Sequence, residues 1–168
     1  MVSASDYDYK KEKHSVGLLR RTMVDGIIYA SHSMGSDFLE DMKVPAVTLE
    51  NVFAGLPAIL SDNAQGGFLA ARHLLARGCR NLVTISGQRN LHLSADERTV
   101  SFIRECERQG ASCKVYSADE EMLKTMEYSR IVSQVFNENP NMDGIFASSD
   151  IIGAQCIQMA FSLGYKIP

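Results

Sequence analysis

The sequence lacks a basic cluster, a long apolar run and a secretory signal peptide. Its densest basic stretch, Lys10 to Lys13, is interrupted by Glu12, and the 168-residue chain has a formal net charge of -3. Without a concentrated positive surface, a protein binds a phosphate backbone poorly. No apolar run approaches the roughly 20 residues that cross a bilayer, and no basic-then-apolar leader opens the chain. We therefore expect a cytoplasmic protein that does not enter a membrane and does not itself bind nucleic acid.

The sequence also lacks the spacings that hold metals or disulfides. None of its four cysteines forms a C-x-x-C pair, and its four histidines are scattered. Cysteines beside apolar stripes in a cytoplasmic protein are typically reduced thiols. We therefore expect no metal site and no cofactor. The residues concerned are Cys79, Cys106, Cys113 and Cys156, and His14, His32, His73 and His92.

Catalytic motifs are missing as well. There is no G-x-S-x-G nucleophile elbow, no P-loop and no G-x-G-x-x-G after a strand. Gly66 and Gly67 fall inside a predicted helix and do not form a phosphate loop. Acids that could act in catalysis are present at Glu50, Asp62 and Asp150, but without a partner motif they do not define an enzyme. The sequence therefore predicts a protein that is not an enzyme.

What the sequence does contain is a regular alternation of strands and helices. The predicted strands are 24–30, 44–49, 56–60, 81–86, 113–116 and 143–147; the predicted helices are 7–22, 37–42, 64–77, 94–109, 119–137 and a last one after residue 150. Such alternation predicts an α/β fold with parallel sheets and right-handed crossovers. One direct step from strand to strand, between Glu50 and Leu56, interrupts it. This step predicts two lobes that meet near Ser61 and Asp62.

Apolar patterns predict which faces are buried. The strand at 24–30 is rich in β-branched residues, so we expect it to be buried on both faces. The helix at 64–77 should turn Phe68, Ala71 and Leu75 inward. The helix at 94–109 should bury a stripe of three residues. That stripe is Val100, Ile103 and Cys106.

A polar corner, Ser148 to Asp150, joins the strand at 143–147 to the last helix. The carboxylate of Asp150 therefore lies at the C-terminal end of a strand, the edge where open α/β sheets bind ligands. Two interpretations remain open at this position. Asp150 is either the N-cap of the helix or a ligand contact, and one side chain can serve both roles.

The motifs in this order resemble the effector-binding region of LacI/GalR-type transcriptional regulators, which share the fold of periplasmic sugar-binding proteins. The segments that carry the resemblance are VDGII (24–28), VPAV (44–47), SDNAQGG (61–67), AARHLLARG (70–78), SADER (94–98), FASSD (146–150) and GYKIP (164–168). The resemblance implies a two-lobed, type I periplasmic-binding-protein-like fold, incomplete at both ends. It divides the chain into a partial N-terminal lobe, 1–61, and a partial C-terminal lobe, 62–168. It also implies that this fragment lacks the helix-turn-helix domain.

The resemblance implies ligand-binding positions, each with an alternative. Arg98 occupies the place of an arginine that binds ligand in the family; alternatively it is a surface helix residue. Ser149 or Asp150 would supply a pocket side chain, and Glu50 either faces the pocket or is a solvated loop acid. Asp62 and Asn63 are expected to cap a helix. Ser101 and Phe102 replace the glycine and aromatic residue usual after the family arginine, so helix packing near Arg98 is expected to differ.

The function implied by the resemblance is sensing of a small molecule, a sugar or a sugar derivative, for a transcription repressor. DNA would be bound only through the missing helix-turn-helix domain, and the protein would form a homodimer. The alternative is a sugar-binding protein of a transport system with the same fold. A helix-turn-helix encoded upstream would indicate the repressor. An export signal there would indicate the transport protein.

Overall fold

The computed structural model describes residues 2–5, 8–22, 24–31, 44–53, 55–87 and 94–167. Helices and strands alternate along it, and every pair of neighbouring strands is parallel. The predicted α/β class is therefore confirmed. The chain divides into two compact units, Met1–Ser61 and Asp62–Pro168. The predicted helical turns at 37–42 lie outside the described residues.

The first unit places one helix against a three-stranded sheet. Its elements are α1 (Tyr9–Arg21), β1 (Ile27–Ala30), β2 (Ala46–Leu49) and β3 (Ala58–Ile59), with strand order β1-β2-β3. The Asp8 side chain starts α1 by accepting hydrogen bonds from two backbone amides, as an N-cap does. Val16 of α1 is buried against Ile27, Tyr29 and Phe53. This small cluster is the core of the unit.

The prediction that the strand at 24–30 is buried on both faces is wrong. Ile27 and Tyr29 are buried, whereas Ile28 is 72% exposed. Successive side chains of a strand point to opposite faces, and the core of this unit lies on the face that contains Ile27 and Tyr29. The β-branched composition indicated a strand correctly but could not show that only one face is covered.

The second unit is a three-stranded parallel sheet with helices on both faces. Its strands are β4 (Asn81–Ser86), β5 (Ser112–Ser117) and β6 (Gly144–Ala147), in the order β5-β4-β6. Its helices are α2 (Asn63–Ala76), α3 (Asp96–Arg108), α4 (Glu120–Thr125), α5 (Ser129–Glu138) and α6 (Asp150–Ser162). Leu82 of β4 packs with α2 and α3. Val83 and Ile85 pack on the opposite face with α5 and α6.

The predicted helix at 119–137 is two helices. Met126 ends α4 in the left-handed conformation, with φ of +57°, and α5 starts at Ser129. Gln155 of α6 stabilises the break: its Oε1 accepts from the Tyr128 amide at 2.8 Å, and its Nε2 donates to the Met126 carbonyl at 3.0 Å. These contacts come from a distant element, which is why the local apolar spacing did not reveal the break.

Two predicted helix faces are partly wrong. In α2, Ala71 and Leu75 are buried as predicted, but Phe68 is exposed and lies beneath the guanidinium of Arg72. In α3, Cys106 is buried as predicted, whereas Val100 and Ile103 are only half-buried. The buried face of α3 consists of Thr99, Phe102, Glu105 and Cys106. Because two of these residues, Thr99 and Glu105, are polar, the apolar pattern did not indicate this face.

Candidate functional site

Arg98 connects three elements of the second unit. It is the third residue of α3, and its Nε and Nη2 donate to Oδ1 of Asn63 at 2.9 and 2.5 Å. Its Nη1 donates to the carbonyl of Ser148 at 2.7 Å. The guanidinium thus joins α3 to the start of α2 and to the corner that follows β6. A guanidinium has five N–H groups, so two remain beyond these three bonds.

Local sequence features place Asn63 and Arg98 next to each other. Asp62 is the N-cap of α2 and accepts from the Gln65 amide at 2.9 Å, which makes Asn63 the first helical residue. The predicted capping role of Asp62 is confirmed. Gly67, one turn further on, lets α2 approach the backbone of Arg98 closely. Phe102, one turn after Arg98, stacks on Phe146 with ring centroids 4.5 Å apart; the expected difference in helix packing from the family stays a prediction.

Of the two interpretations left open for Asp150, the N-cap is wrong, and the ligand contact stays a prediction. The N-cap is Ser149, whose backbone is extended and whose Oγ accepts from the Ile152 amide at 3.4 Å. Asp150 is the first residue of α6; its Oδ1 accepts from the Ile151 amide at 3.0 Å and its side chain is exposed. The helix starts one residue earlier than a cap at Asp150 requires. The carboxylate is therefore at the positive end of α6 and open to solvent.

The structure brings three of the four predicted ligand-binding residues to one edge of the second sheet. The Ser148 amide donates to the carbonyl of Ile85 at 3.0 Å, so the corner Ser148 to Asp150 lies where β4 and β6 end. Arg98 is hydrogen-bonded to that corner. The Arg98 guanidinium and the corner that contains Ser149 and Asp150 therefore lie at the C-terminal ends of parallel strands, the usual ligand edge.

The fourth predicted residue, Glu50, belongs to the first unit. It follows β2 with φ of +59°, and its amide donates to the Ile59 carbonyl at 2.9 Å. Its Oε1 accepts from both the amide and the hydroxyl of Ser61, at 3.0 and 2.5 Å. These bonds tie the end of β2 to Ser61, two residues after β3, while Glu50 itself is exposed.

Sequence reasoning missed a buried acid in the first unit. Glu12 is only 6% exposed, and its carboxylate accepts from the hydroxyls of Ser5, Tyr29 and Ser31 at 3.0, 3.0 and 2.5 Å. In the sequence Glu12 was noted only as the acid that interrupts the basic stretch Lys10 to Lys13. A signal was available, since Glu12 precedes the buried Val16 by four residues and therefore shares its helix face.

Sequence reasoning also assigned Asn63 only a capping role and missed its contact with Arg98. Three buried side-chain atoms among the described residues have no hydrogen-bond partner: Nδ2 of Asn63, Oγ1 of Thr84 and Oγ1 of Thr99. Asn63 begins α2, Thr99 belongs to α3, and Thr84 lies on the same face of β4 as Leu82, which packs with those two helices. In that same described part of the chain, no cluster of three or more His, Cys, Asp or Glu could hold a metal ion. Its helices also include none that is long and apolar enough to cross a membrane.

Parallel sheets flanked by helices, with polar side chains at the C-terminal strand ends, are typical of α/β proteins that bind ligands at that edge. Over residues 2–168 the sequence matches the family described as periplasmic binding proteins and sugar binding domain of the LacI family. The chain belongs to this family, which confirms the resemblance.

Two similar curated proteins are named as repressors of sugar operons. The ribose operon repressor of Halalkalibacterium halodurans is 30% identical over 165 residues, which cover 98% of this chain and 49% of the repressor. The sucrose operon repressor of Streptococcus mutans is 30% identical over 169 residues, which cover 100% and 51%. The chain therefore spans about half the length of these relatives.

Solved structures agree on the fold. A periplasmic binding protein/LacI transcriptional regulator from Alkaliphilus metalliredigens, complexed with D-xylulofuranose, superimposes with a TM-score of 0.80 at 26% identity. The match covers 98% of this chain and 60% of that one. The transcription regulator CcpA of Lactococcus lactis gives a TM-score of 0.83 at 16% identity, with coverage of 100% and 63%.

Proposed function

We propose that this chain is the sugar-sensing region of a LacI-type transcriptional regulator. In this proposal the effector-contacting residues are Arg98, Ser149, Asp150 and Glu50. The observation that carries the proposal is the cluster at the second sheet's edge, where Arg98 is bonded to the corner that contains Ser149 and Asp150.

The chemistry of this cluster suits a polyhydroxyl ligand. The two remaining N–H groups of the Arg98 guanidinium can donate to hydroxyl oxygens. The exposed carboxylate of Asp150 can accept from hydroxyl groups, which makes charge-assisted bonds that are stronger than neutral ones. A donor fork beside an acceptor therefore matches neighbouring sugar hydroxyls, each of which both donates and accepts.

The related proteins support the regulatory part of the proposal. Two of them are named as repressors of ribose and sucrose operons, and a solved relative holds D-xylulofuranose. This favours a cytoplasmic regulator over a transport protein or an enzyme. DNA would be bound by a helix-turn-helix domain outside these 168 residues, in a homodimer. The sugar would regulate binding through its different affinity for two conformations of the protein.

Calorimetric titration of the full chain with D-ribose, sucrose and D-xylulose tests the proposal. At least one of these sugars should bind, and Arg98→Ala should weaken that binding by about 10- to 100-fold, because a hydrogen bond to a charged group contributes about 1.5–3 kcal/mol. Arg104→Ala is the matched control, since Arg104 is an exposed arginine two turns along the same helix. It should leave the affinity unchanged.

Two results would contradict the proposal. If none of the three sugars binds, the sugar-sensor function is wrong. If a sugar binds but the Arg98→Ala and Arg104→Ala variants bind it equally well, the effector does not contact Arg98.

A further inference from the structure

Asn63 is bonded to Arg98 in an asymmetric way. A single atom, Oδ1, accepts from both Nε and Nη2 of the guanidinium, and the Asn63 residue is only 6% exposed. The other end of the same amide, Nδ2, is buried and has no partner. The amide orientation is therefore determined by Arg98, because turning the amide over would place donors against donors.

This orientation has a cost. A buried donor without a partner loses its hydration, a penalty of about 1–3 kcal/mol. Asn63 does not offset it by capping α2, since Asp62 is the N-cap. Asn63 does, however, fix the position of the Arg98 side chain, which is long and otherwise samples many rotamers. Buried polar groups that are left unsatisfied call for such an explanation in terms of function.

We propose that Asn63 is the positioning residue for Arg98. It holds the guanidinium plane in the orientation that the effector meets, so the rotamers of Arg98 are restricted before the effector arrives. Immobilising a side chain of this kind during binding costs affinity, and fixing it beforehand removes that cost. This inference rests on the proposed function, in which Arg98 contacts a sugar.

Of the two acceptors that bond Arg98, only the Asn63 side chain can be removed by substitution. The other acceptor for Arg98 is the backbone carbonyl of Ser148, which every residue supplies. Asn63→Ala removes the side-chain acceptor and leaves a good helix former at the start of α2. Asn63→Asp keeps the acceptor and removes the unpaired donor.

A double-mutant cycle tests the inference with D-ribose and sucrose as probes in the full chain. Asn63→Ala should weaken binding of the recognised sugar by about 3- to 10-fold, the effect of one immobilised side chain. In an Arg98→Ala background, Asn63→Ala should have no further effect, because Asn63 acts through Arg98. Equal losses in both backgrounds would overturn the inference.

Asp62→Ala is the control for damage to the start of α2. It removes the N-cap hydrogen bond to Gln65 but none of the bonds to Arg98. It should lower the thermal unfolding midpoint while leaving sugar affinity unchanged. If Asp62→Ala weakens sugar binding as much as Asn63→Ala does, the effect belongs to the helix start in general and the positioning role is wrong.

A measurement without sugar separates this inference from the proposed function. The Nε–H of Arg98 should give a slowly exchanging nitrogen–proton resonance, since it is bonded to a buried acceptor. That resonance should be lost in Asn63→Ala and retained in Asn63→Asp. The thermal unfolding midpoint of Asn63→Asp should be at least as high as that of the unsubstituted chain. Persistence in Asn63→Ala would overturn the positioning role. If none of D-ribose, sucrose and D-xylulose binds, the proposed function fails, and this resonance alone decides whether Asn63 positions Arg98.

Discussion

Gly67 of α2 lies against the backbone of Arg98 in α3. A Cβ built on Gly67 would be 1.9 Å from the Arg98 carbonyl oxygen and 2.7 Å from its carbonyl carbon. These distances are far below van der Waals contact. The missing side chain of Gly67 is therefore what allows α2 and α3 to approach closely enough for Asn63 to reach Arg98.

Gly67→Ala should destabilise the protein by about 1–3 kcal/mol, because the new methyl group meets backbone atoms that cannot rotate away. Gly66→Ala is the matched control, since no atom lies within 4 Å of its added Cβ. That neighbouring change should stabilise by up to about 1 kcal/mol through helix propensity. Denaturant unfolding of the two variants measures the difference. Equal stability would contradict the close helix contact.

At the start of α6, substitution of Ser149 should mainly lower stability, whereas substitution of Asp150 should mainly weaken sugar binding. Ser149→Ala removes the N-cap and should cost about 1 kcal/mol of unfolding free energy. Asp150→Ala should cost less, about 0.3–1 kcal/mol, because it removes a favourable charge and one solvent-exposed hydrogen bond at the helix N-terminus. We expect the larger loss of sugar affinity in Asp150→Ala. Unfolding and sugar titration of both variants test this, and unchanged affinity in Asp150→Ala would exclude its carboxylate as a ligand contact.

Glu105 should make stability depend on pH. Its carboxylate is 4% exposed and accepts from Nε and Nη2 of Arg108 at 2.6 and 2.8 Å. The Arg108 hydrogen bonds lower the pKa of Glu105 below the ordinary 4.5, and Gln109 adds to the effect. A lowered pKa in the folded state stabilises the protein above the unfolded-state pKa, and this stabilisation is lost as pH falls through the folded-state value.

Glu105→Gln should therefore unfold more easily than the unsubstituted chain at pH 7. The difference should shrink as pH falls below about 4.5, where the carboxylate becomes protonated in the unfolded state. Urea titrations at a series of pH values measure it. A difference that stays constant from pH 7 to pH 3 would show that the Arg108 contact does not stabilise the ionised carboxylate.

Cys113 and Cys156, two of the four cysteines, should react slowly in the folded protein. All four are free thiols, and burial raises the pKa of Cys113 to about 12 and that of Cys156 to about 11. Since the thiolate is the reacting species, iodoacetamide at pH 8 should label these two thiols far more slowly than in the unfolded chain. Mass spectrometry after timed labelling measures the rates. Equal rates in folded and unfolded protein would contradict the burial of these residues.

The sequence was sufficient for features with a strong local pattern. The bounds of β4, Asn81–Ser86, were predicted to the residue, since an apolar run there lies between a helix-ending glycine and a loop. The cap at Asp62 also followed from local chemistry, because Asp62 precedes a helical pattern. Both features depend only on neighbouring residues.

Features that depend on distant contacts were not accessible in this way. The break at Met126 is bonded to Gln155, 29 residues further along the chain, and the orientation of Asn63 depends on Arg98, 35 residues away. The exposure of Ile28 depends on which face of the sheet the rest of the unit covers. Spacing within one segment contains no information about such partners.

The most direct test of the central claim is a crystal structure of the chain with the sugar that binds most tightly among D-ribose, sucrose and D-xylulose. We expect a sugar hydroxyl within hydrogen-bond distance of the Arg98 guanidinium and another beside the Asp150 carboxylate, with Asn63 still bonded to Arg98. A sugar bound away from both Arg98 and Asp150 would contradict the account.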